Sequence, residues 1–347
     1  MSLEVVELSS GEAQDDAEIT RFLDTLASTS GSVLGYHYPF YRDMLRALEI
    51  GEPLYLAARR SGQMCGFLPV FEKIAPSGIV LSSLPFFGPN AGVLSAKEDC
   101  GETHSELLGK LLSLGQEKQA LSCSVYTPFQ FRDFELYDAY FGDAAVTDKF
   151  TQYLDLSSVQ WSKDVNYDLR KAQKATITIT SDVTGERLER FFEIYWQNCL
   201  DYDIPPKPRA CLEFLTKKEA LGATTQIYFA MLGDLLVAGL LVVFSPSTMS
   251  YYLPCSAAEY RSHQPGSLLI DRAIKDARSR GIRFWNWESS PRRDSGVYAF
   301  KEKWGSREDS YRVYCKTFQS EEKLRAIGKE RLANEFPYYY VWPFDRL

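Results

Sequence analysis

The sequence predicts an α+β chain of two tandem domains, each a mixed β-sheet flanked by helices. Three observations predict it. A length of 347 residues suffices for two cores. Helical and strand periods alternate along the chain. One order of elements (hairpin, Leu-Pro strand, Gly loop, helix, strand) occurs twice. With 45% apolar and 24% charged residues, the composition is that of a packed globular protein.

In the first half, Ile19, Phe22, Leu23 and Leu26 recur at helical spacing within Asp15–Ala27, and a second helix is expected over Tyr41–Glu49. Leu54–Ala58 and Met64–Phe71 read as a hairpin turning at Ser61-Gly62. A strand over Ile79–Phe87, the loop Gly88–Gly92, a helix bearing Leu107, Leu108, Leu111 and Leu112, and strands at Leu121–Tyr126 and Gln152–Leu156 complete this half. The second half opens with a helix over Trp161–Lys174, a strand at 176–180, and a helix whose face is Leu188, Phe191, Phe192, Tyr195 and Cys199. The stiff loop Ile204–Pro208 precedes a hairpin, Gln226–Met231 and Leu235–Phe244, turning at Gly233-Asp234. A last strand spans Ser310–Thr317.

Offset by 173 residues, the hairpins align without a gap: Tyr55 falls on Tyr228, Ala57 on Ala230, Gly66 on Gly239 and Leu68 on Leu241. Leu84-Pro85 then matches Leu253-Pro254, and Gly92 matches Gly266. We read a tandem duplication with boundaries at 1–156, 157–317 and a C-terminal segment 318–347.

The stretch Tyr251–Trp287 carries the chemistry. The strand Ser250–Cys255 leads into Arg261-Ser-His-Gln-Pro-Gly-Ser-Leu-Leu269, and Ile270, Ala273, Ile274 and Ala277 mark a helix ending before Gly281. A second strand, Arg283–Trp287, follows. Unpaired N–H groups and the macrodipole at such a helix start favour an anion, with Arg261 and His263 as added donors. In the first half, Ser95–His104 separate the loop from the helix, which removes the aligned amides. Only the second half is therefore expected to hold a phosphorylated donor.

Composition excludes several classes. A net charge of −7 and a pI near 5.3 argue against extended nucleic-acid binding, so no DNA partner is expected. Seven cysteines without a C-x-x-C pair and three histidines suggest neither a metal site nor a disulfide framework, and point to a cytoplasmic protein. The longest apolar run, Leu235–Phe244, is too short to span a bilayer.

The strand, Leu-Pro splay, loop with Arg261 and Gly266, helix and strand resemble the core of a GNAT acyltransferase. Gln264 stands where the family has its first loop glycine. The tandem arrangement resembles the FemAB-like transferases and the acetyltransferases linked to envelope polysaccharides. Ser83-Leu-Pro-Phe86, Arg170-Lys-Ala-Gln-Lys174 and Phe300-Lys-Glu-Lys-Trp-Gly305 carry that likeness. It implies two GNAT-like domains, an acceptor-shaping first and a donor-binding second, with 318–347 folding back on the first. It also implies an N-acyltransferase working by direct attack of an amine, or secondarily a hydroxyl, with acyl-CoA as co-substrate and a small-molecule or envelope-precursor acceptor. The alternatives are a FemAB-type enzyme using aminoacyl-tRNA on a peptidoglycan precursor, and a non-catalytic binder of a glycan or peptide precursor, which Gln264 would favour.

The same resemblance assigns residues. Arg261, His263, Gln264, Gly266 and Ser267 would hold the donor. Lys301 would lie near the acyl group and, with backbone amides beside Leu253, stabilise oxyanion charge; its structural alternative is a solvated lysine beside a buried Phe300. Glu288, at the end of its strand, would accept a proton from the acceptor amine, or else simply end a strand. Tyr252, Arg293, Tyr36, His37 and Tyr38 are candidate acceptor contacts. Arg170, Lys171 and Lys174 would meet phosphate or form a solvated helix face. Cys255 has no identifiable histidine partner.

Overall fold

The computed structural model describes residues 3–8, 11–86, 90–96, 99–142, 144–290 and 292–343. The chain divides into two compact units, Met1–Phe150 with Ser310–Leu347, and Thr151–Asp309.

The first unit opens with β1 (Leu3–Glu7) and α1 (Ala13–Ala27), whose Ile19, Leu23 and Leu26 are buried as their spacing predicts. Next come α2 (Pro39–Ala47), β2 (Glu52–Pro53), β3 (Leu56–Arg60) and β4 (Gln63–Leu68). The β3–β4 turn places Ser61 and Gly62 at φ of 54° and 79°, the geometry a two-residue hairpin requires. β5 (Val70–Ala75), β6 (Gly78–Ser83), β7 (Leu94–Ser95), α3 (Cys100–Glu117), β8 (Ser122–Tyr126), α4 (Glu135–Phe141) and β9 (Ala145–Asp155) follow. Strands pair as β1-β3-β4-β7 and as β8-β6-β5-β2, with β6 and β8 parallel. Leu107, Leu108 and Leu111 of α3 bury against Leu56, Leu81 and Val125. α3 starts earlier than its leucine pattern announced: the helix begins at Cys100, so Val93–Asp99 separate it from Gly92.

The second unit runs α5 (Lys163–Lys174), β10 (Thr178–Thr180), α6 (Gly185–Asp201), α7 (Arg209–Leu215), β11 (Thr225–Leu232), β12 (Leu235–Phe244), β13 (Thr248–Ser256), α8 (Pro265–Ser279), β14 (Phe284–Ser289) and α9 (Gly296–Glu302). Its strand order is β10-β11-β12-β13-β14-β9, and only β13–β14 is parallel. Alternate residues of β12 explain its unbroken apolar run. Ala238, Leu240, Val242 and Phe244 join the cluster of Ile270, Ala273 and Ile274 from α8. On the other face, the space a Cβ at Gly239 would take is filled by the Phe191 ring of α6. A strand covered on both faces reads as continuous hydrophobic sequence.

The hairpins do correspond, but one residue out of the register read from sequence. The turn of β3–β4 pairs Arg60 with Gln63, and that of β11–β12 pairs Leu232 with Leu235. Each hairpin also has an irregularity, after Ala58 in one and after Ala230 in the other. Both features match at an offset of 172, so Gly66 corresponds to Ala238 rather than Gly239. A one-residue slip exchanges the faces of a strand; shared Gly and Ala had favoured the wrong phase.

β15 (Arg307–Thr317), α10 (Glu321–Ile327) and α11 (Lys329–Glu335) finish the chain. β15 pairs antiparallel with β8, which is why residues from Ser310 count with the first unit instead of ending the second at 317. The segment after β15 packs on that unit. Tyr338 accepts from the Phe86 N–H at 3.0 Å, and the Tyr339 hydroxyl donates to the Ile50 carbonyl at 3.1 Å. Among the described residues no helix is long and apolar enough to cross a membrane.

Candidate active site

The parallel pairing of β13 and β14 covers only Thr248–Ser250 against Phe284–Asn286. Beyond it β13 stays with β12, while β14 continues to Ser289 beside Thr151 of β9. The two strand ends part and leave a cleft. Two features hold it open. β13 carries an irregularity between its pairs to Leu241 and Val242, with Tyr252 as the extra residue. Tyr251 also rests on the Trp285 and Trp287 rings, centroids 5.9 and 5.2 Å away.

At one side of the cleft stands the start of α8. Gln264 takes a left-handed conformation (φ 62°) just before Pro265, so Gly266 sits inside the first turn rather than ahead of the helix. Pro265 contributes no N–H, leaving the amides of Gly266 and Ser267. Nothing lies within 4 Å of a Cβ placed on Gly266, so that turn is open to an approaching group. Ser267 is buried, and its hydroxyl donates to Gln264 Oε1 at 3.5 Å. Arg261 is directed elsewhere: its guanidinium pairs with Asp201 (3.2 Å), bonds the Ser256 carbonyl (3.3 Å) and covers the Tyr202 ring. His263 is exposed beside Tyr260.

Glu288 occupies the end of β14 with φ of 62°, a conformation that costs a non-glycine residue about 1–2 kcal/mol. Asn286, wholly buried, fixes it. The Asn286 Nδ2 donates to Glu288 Oε1 (3.0 Å), and Asn286 Oδ1 accepts the Glu288 N–H (3.0 Å) and the Thr151 hydroxyl (3.2 Å). A strained acid held this firmly is a reason to look for function.

Lys301 is not a solvated lysine. It is 3% exposed, and Nζ donates to the Glu288 carbonyl (3.1 Å), the Ser289 carbonyl (3.0 Å) and the Ser290 hydroxyl (2.9 Å). Burial pulls its pKa down to about 8, against the attraction of Glu288. Its three donors thus brace the turn that carries Glu288. The rest of the Phe-Lys-Glu-Lys-Trp-Gly motif anchors this brace. Trp304 is buried on Trp161 and Trp287, Lys303 pairs with Asp168, and Gly305 (φ 85°) makes the exit turn.

Sequence reasoning missed Lys207. Its Nζ lies 4.9 Å from the centroid of the Tyr252 ring, and its backbone N–H donates to the Tyr195 hydroxyl at 2.8 Å. Tyr252 in turn lies by Cys211, hydroxyl to sulfur 3.8 Å. The only signal was the proline-rich loop, and no spacing rule ties it to a strand 45 residues on.

The other candidates make contacts of their own. Tyr36, His37 and Tyr38 are buried in the first unit, which gives them a packing role in place of an acceptor wall. His37 Nδ1 accepts the Leu34 N–H (2.9 Å) while Nε2 donates to the Asn90 carbonyl (3.2 Å), and burial lowers its pKa to about 4. Tyr38 donates to Asp24. Arg293 is exposed and makes a two-pronged pair with Glu308 at 2.9 and 2.6 Å; its neighbour Pro291 lies outside the described residues. Arg170, Lys171 and Lys174 lie on the exposed face of α5. Cys255 is buried, its thiol donating to the Phe191 carbonyl, and burial raises its pKa. In the first unit the counterpart of Gly266 is closed. A Cβ at Gly92 would strike the Tyr137 hydroxyl and the Tyr126 carbonyl, and Ser83 Oγ accepts the Tyr126 N–H at 3.0 Å. Gly88 and Pro89 of that loop lie outside the described residues.

Residues 160–287 match the family model of the acetyltransferase (GNAT) domain. The crystal structure of FemX superposes with a TM-score of 0.70 over 94% of this chain and 100% of that one, at 12% identity. A tandem GNAT protein from the clavulanic acid biosynthesis pathway gives 0.56 over 92% and 99%, at 13% identity. L-PGS from Bacillus licheniformis gives 0.57 over 88% and 96%, at 12% identity. No curated relative matches the chain by sequence. At such identities the likeness is one of fold. The strand splay, the helix start and the family match fall together: residues 160–287 match the acetyltransferase (GNAT) domain model, in a chain whose fold resembles that of FemX and of a tandem GNAT protein.

Proposed function

We propose that the second unit transfers an acyl group from an acyl-CoA to an amine of a cell-envelope-related acceptor, in the cytoplasm and by direct attack. The observation that carries this reading is the open first turn of α8 at Gly266, beside a strand splay that ends in the fixed carboxylate of Glu288. The fit to a CoA pyrophosphate is local. The Gly266 and Ser267 amides supply donors with nothing crowding Gly266, and His263 stands exposed nearby. Acyl-CoA bound there would supply an activated thioester.

The chain's own part is to position and to move one proton. Glu288 takes a proton from the acceptor ammonium. Asn286 orients that carboxylate, and Lys301 holds the turn beneath it. In the balanced reaction one C–N bond forms and one C–S bond breaks; of the two protons the ammonium gives up, one passes by Glu288 to water and the other goes to the leaving thiolate.

A second reading, transfer from aminoacyl-tRNA, is favoured by the exposed cations Arg170, Lys171 and Lys174 together with the FemX-like fold. Melting curves separate the readings. Free CoA at 100 times its Kd should raise stability by about 2.7 kcal/mol. No shift with CoA, alongside salt-sensitive binding of charged tRNA, would replace the first reading with the second. No response to either would leave a non-catalytic binder.

A further inference from the structure

A hollow of about 560 Å³ lies on the first unit, between α1 and the tip of the β3–β4 hairpin, and acyl transfer at the α8 start makes no use of it. Its volume falls in the range of small-molecule sites, roughly 300–1,000 Å³. The irregularity of the hairpin shapes it. Ala58 pairs with Gly66 but Arg59 with Met64, so Cys65 is an extra residue in β4. Gly66 faces α3, where a Cβ would strike Thr103 and Leu107. Strict alternation would send Met64 to that same face. The extra residue turns it instead toward α1, on the side of Arg59. In the second unit the corresponding pair, at the offset of 172, is Met231 and Leu236, both apolar and buried. Here the pair is half-buried and the space stays open.

The groups that line the hollow differ in what they already hold. Glu18 accepts from Arg59 Nε (3.2 Å) and Nη2 on its two carboxylate oxygens, so these two charges are paired. Arg21, one turn further along α1, is exposed, and its guanidinium has no partner among the described residues. Phe22 and Met64 are half-buried and offer a ring and a polarizable thioether to an apolar body. We infer that this hollow binds a small organic anion with an aromatic body, the anion on Arg21 and the ring on Phe22 and Met64. A carboxylate or a phosphate fits the guanidinium fork equally. An aromatic ring suits both apolar neighbours, packing against the edge or face of Phe22 and against the Met64 sulfur. The site stands whether or not the second unit transfers an acyl group.

Calorimetric titration of the full chain with naphthylacetate, naphthyl phosphate, naphthylacetamide and acetate tests this. Naphthylacetate or naphthyl phosphate should bind at least about tenfold more tightly than naphthylacetamide, the effect of one charge-assisted contact, and than acetate, the effect of one buried ring. The tighter of the two aromatic anions identifies the head group. Arg21→Gln should remove the preference over the amide, and Arg21→Lys should keep part of it. Thr25→Trp, at an exposed position lining the hollow, should fill the space and weaken both aromatic anions about tenfold or more. Both positions are exposed, so the melting temperatures of the three variants should match wild type. The inference is overturned if naphthylacetamide or acetate matches the aromatic anions, if neither aromatic anion binds, or if Arg21→Gln or Thr25→Trp binds them as wild type does.

Discussion

Lys301→Met is expected to lower both the melting temperature and kcat. Methionine fills the space but leaves the Glu288 and Ser289 carbonyls and the Ser290 hydroxyl without their donor. Of these only Ser290 is buried, while Glu288 is half-buried and Ser289 exposed. An unsatisfied buried acceptor costs ~1–3 kcal/mol and water can replace the donor at the exposed one, so a total loss of roughly 1–3 kcal/mol is expected. With the turn released, Glu288 moves, and a shift of about 1 Å costs on the order of 10²-fold in kcat. Read as an exposed cation, Lys301 would have left the melting temperature untouched; its burial reverses that expectation.

The pH dependence separates a brace from mere packing. Folded Lys301 titrates near 8 and unfolded lysine near 10.5, so between those values the unfolded chain holds more protons. Stability contributed by this group therefore rises with pH across that window and fades as pH falls to 8. The difference in stability between wild type and Lys301→Met should grow from pH 8 to 10.5. A flat difference, or a variant with wild-type kcat, would contradict the role given to Lys301.

Glu288→Gln should lower kcat by about 10²–10³-fold while leaving the melting temperature nearly unchanged. Glutamine keeps an oxygen for Asn286 Nδ2 and the backbone bond to Asn286 Oδ1, so the strained turn survives. What it loses is the ability to accept a proton. Retention of wild-type kcat with an ammonium acceptor would remove Glu288 from the chemistry. A fall in melting temperature of the size expected for Lys301→Met would show that its charge serves the fold.

How far the sequence could be read depends on the length of each signal. β12 and α8 were legible because ten and fifteen residues of regular patterning outweigh local noise. α4, α7 and α9 were not, since seven residues span two turns and show no period. The repeat was legible as an order of elements but not in register, because register lives in the hairpin turns and not in shared Gly and Ala. Within the candidate site, the α8 start and the end of β14 could be read from Gly266 and the Trp-rich strand. The burial of Lys301 could not. It follows from Trp304 entering the core and drawing α9 down onto the turn, a long-range contact without a local mark. Lys207 was hidden for the same reason, being joined to Tyr252 only through folding.

Donor binding at the start of α8 is tested most directly by calorimetric titration of acetyl-CoA into wild type and Gly266→Val. The open space around Gly266 lets the variant fold, and valine is no worse than glycine in a helix, so its stability should match wild type within about 1 kcal/mol. The branched side chain would, however, cover the Gly266 and Ser267 amides. Wild type should bind, and Gly266→Val should bind at least about tenfold more weakly, a loss of about 1.4 kcal/mol. Equal affinity in the two proteins, or no binding to wild type, would contradict a donor site at this helix start.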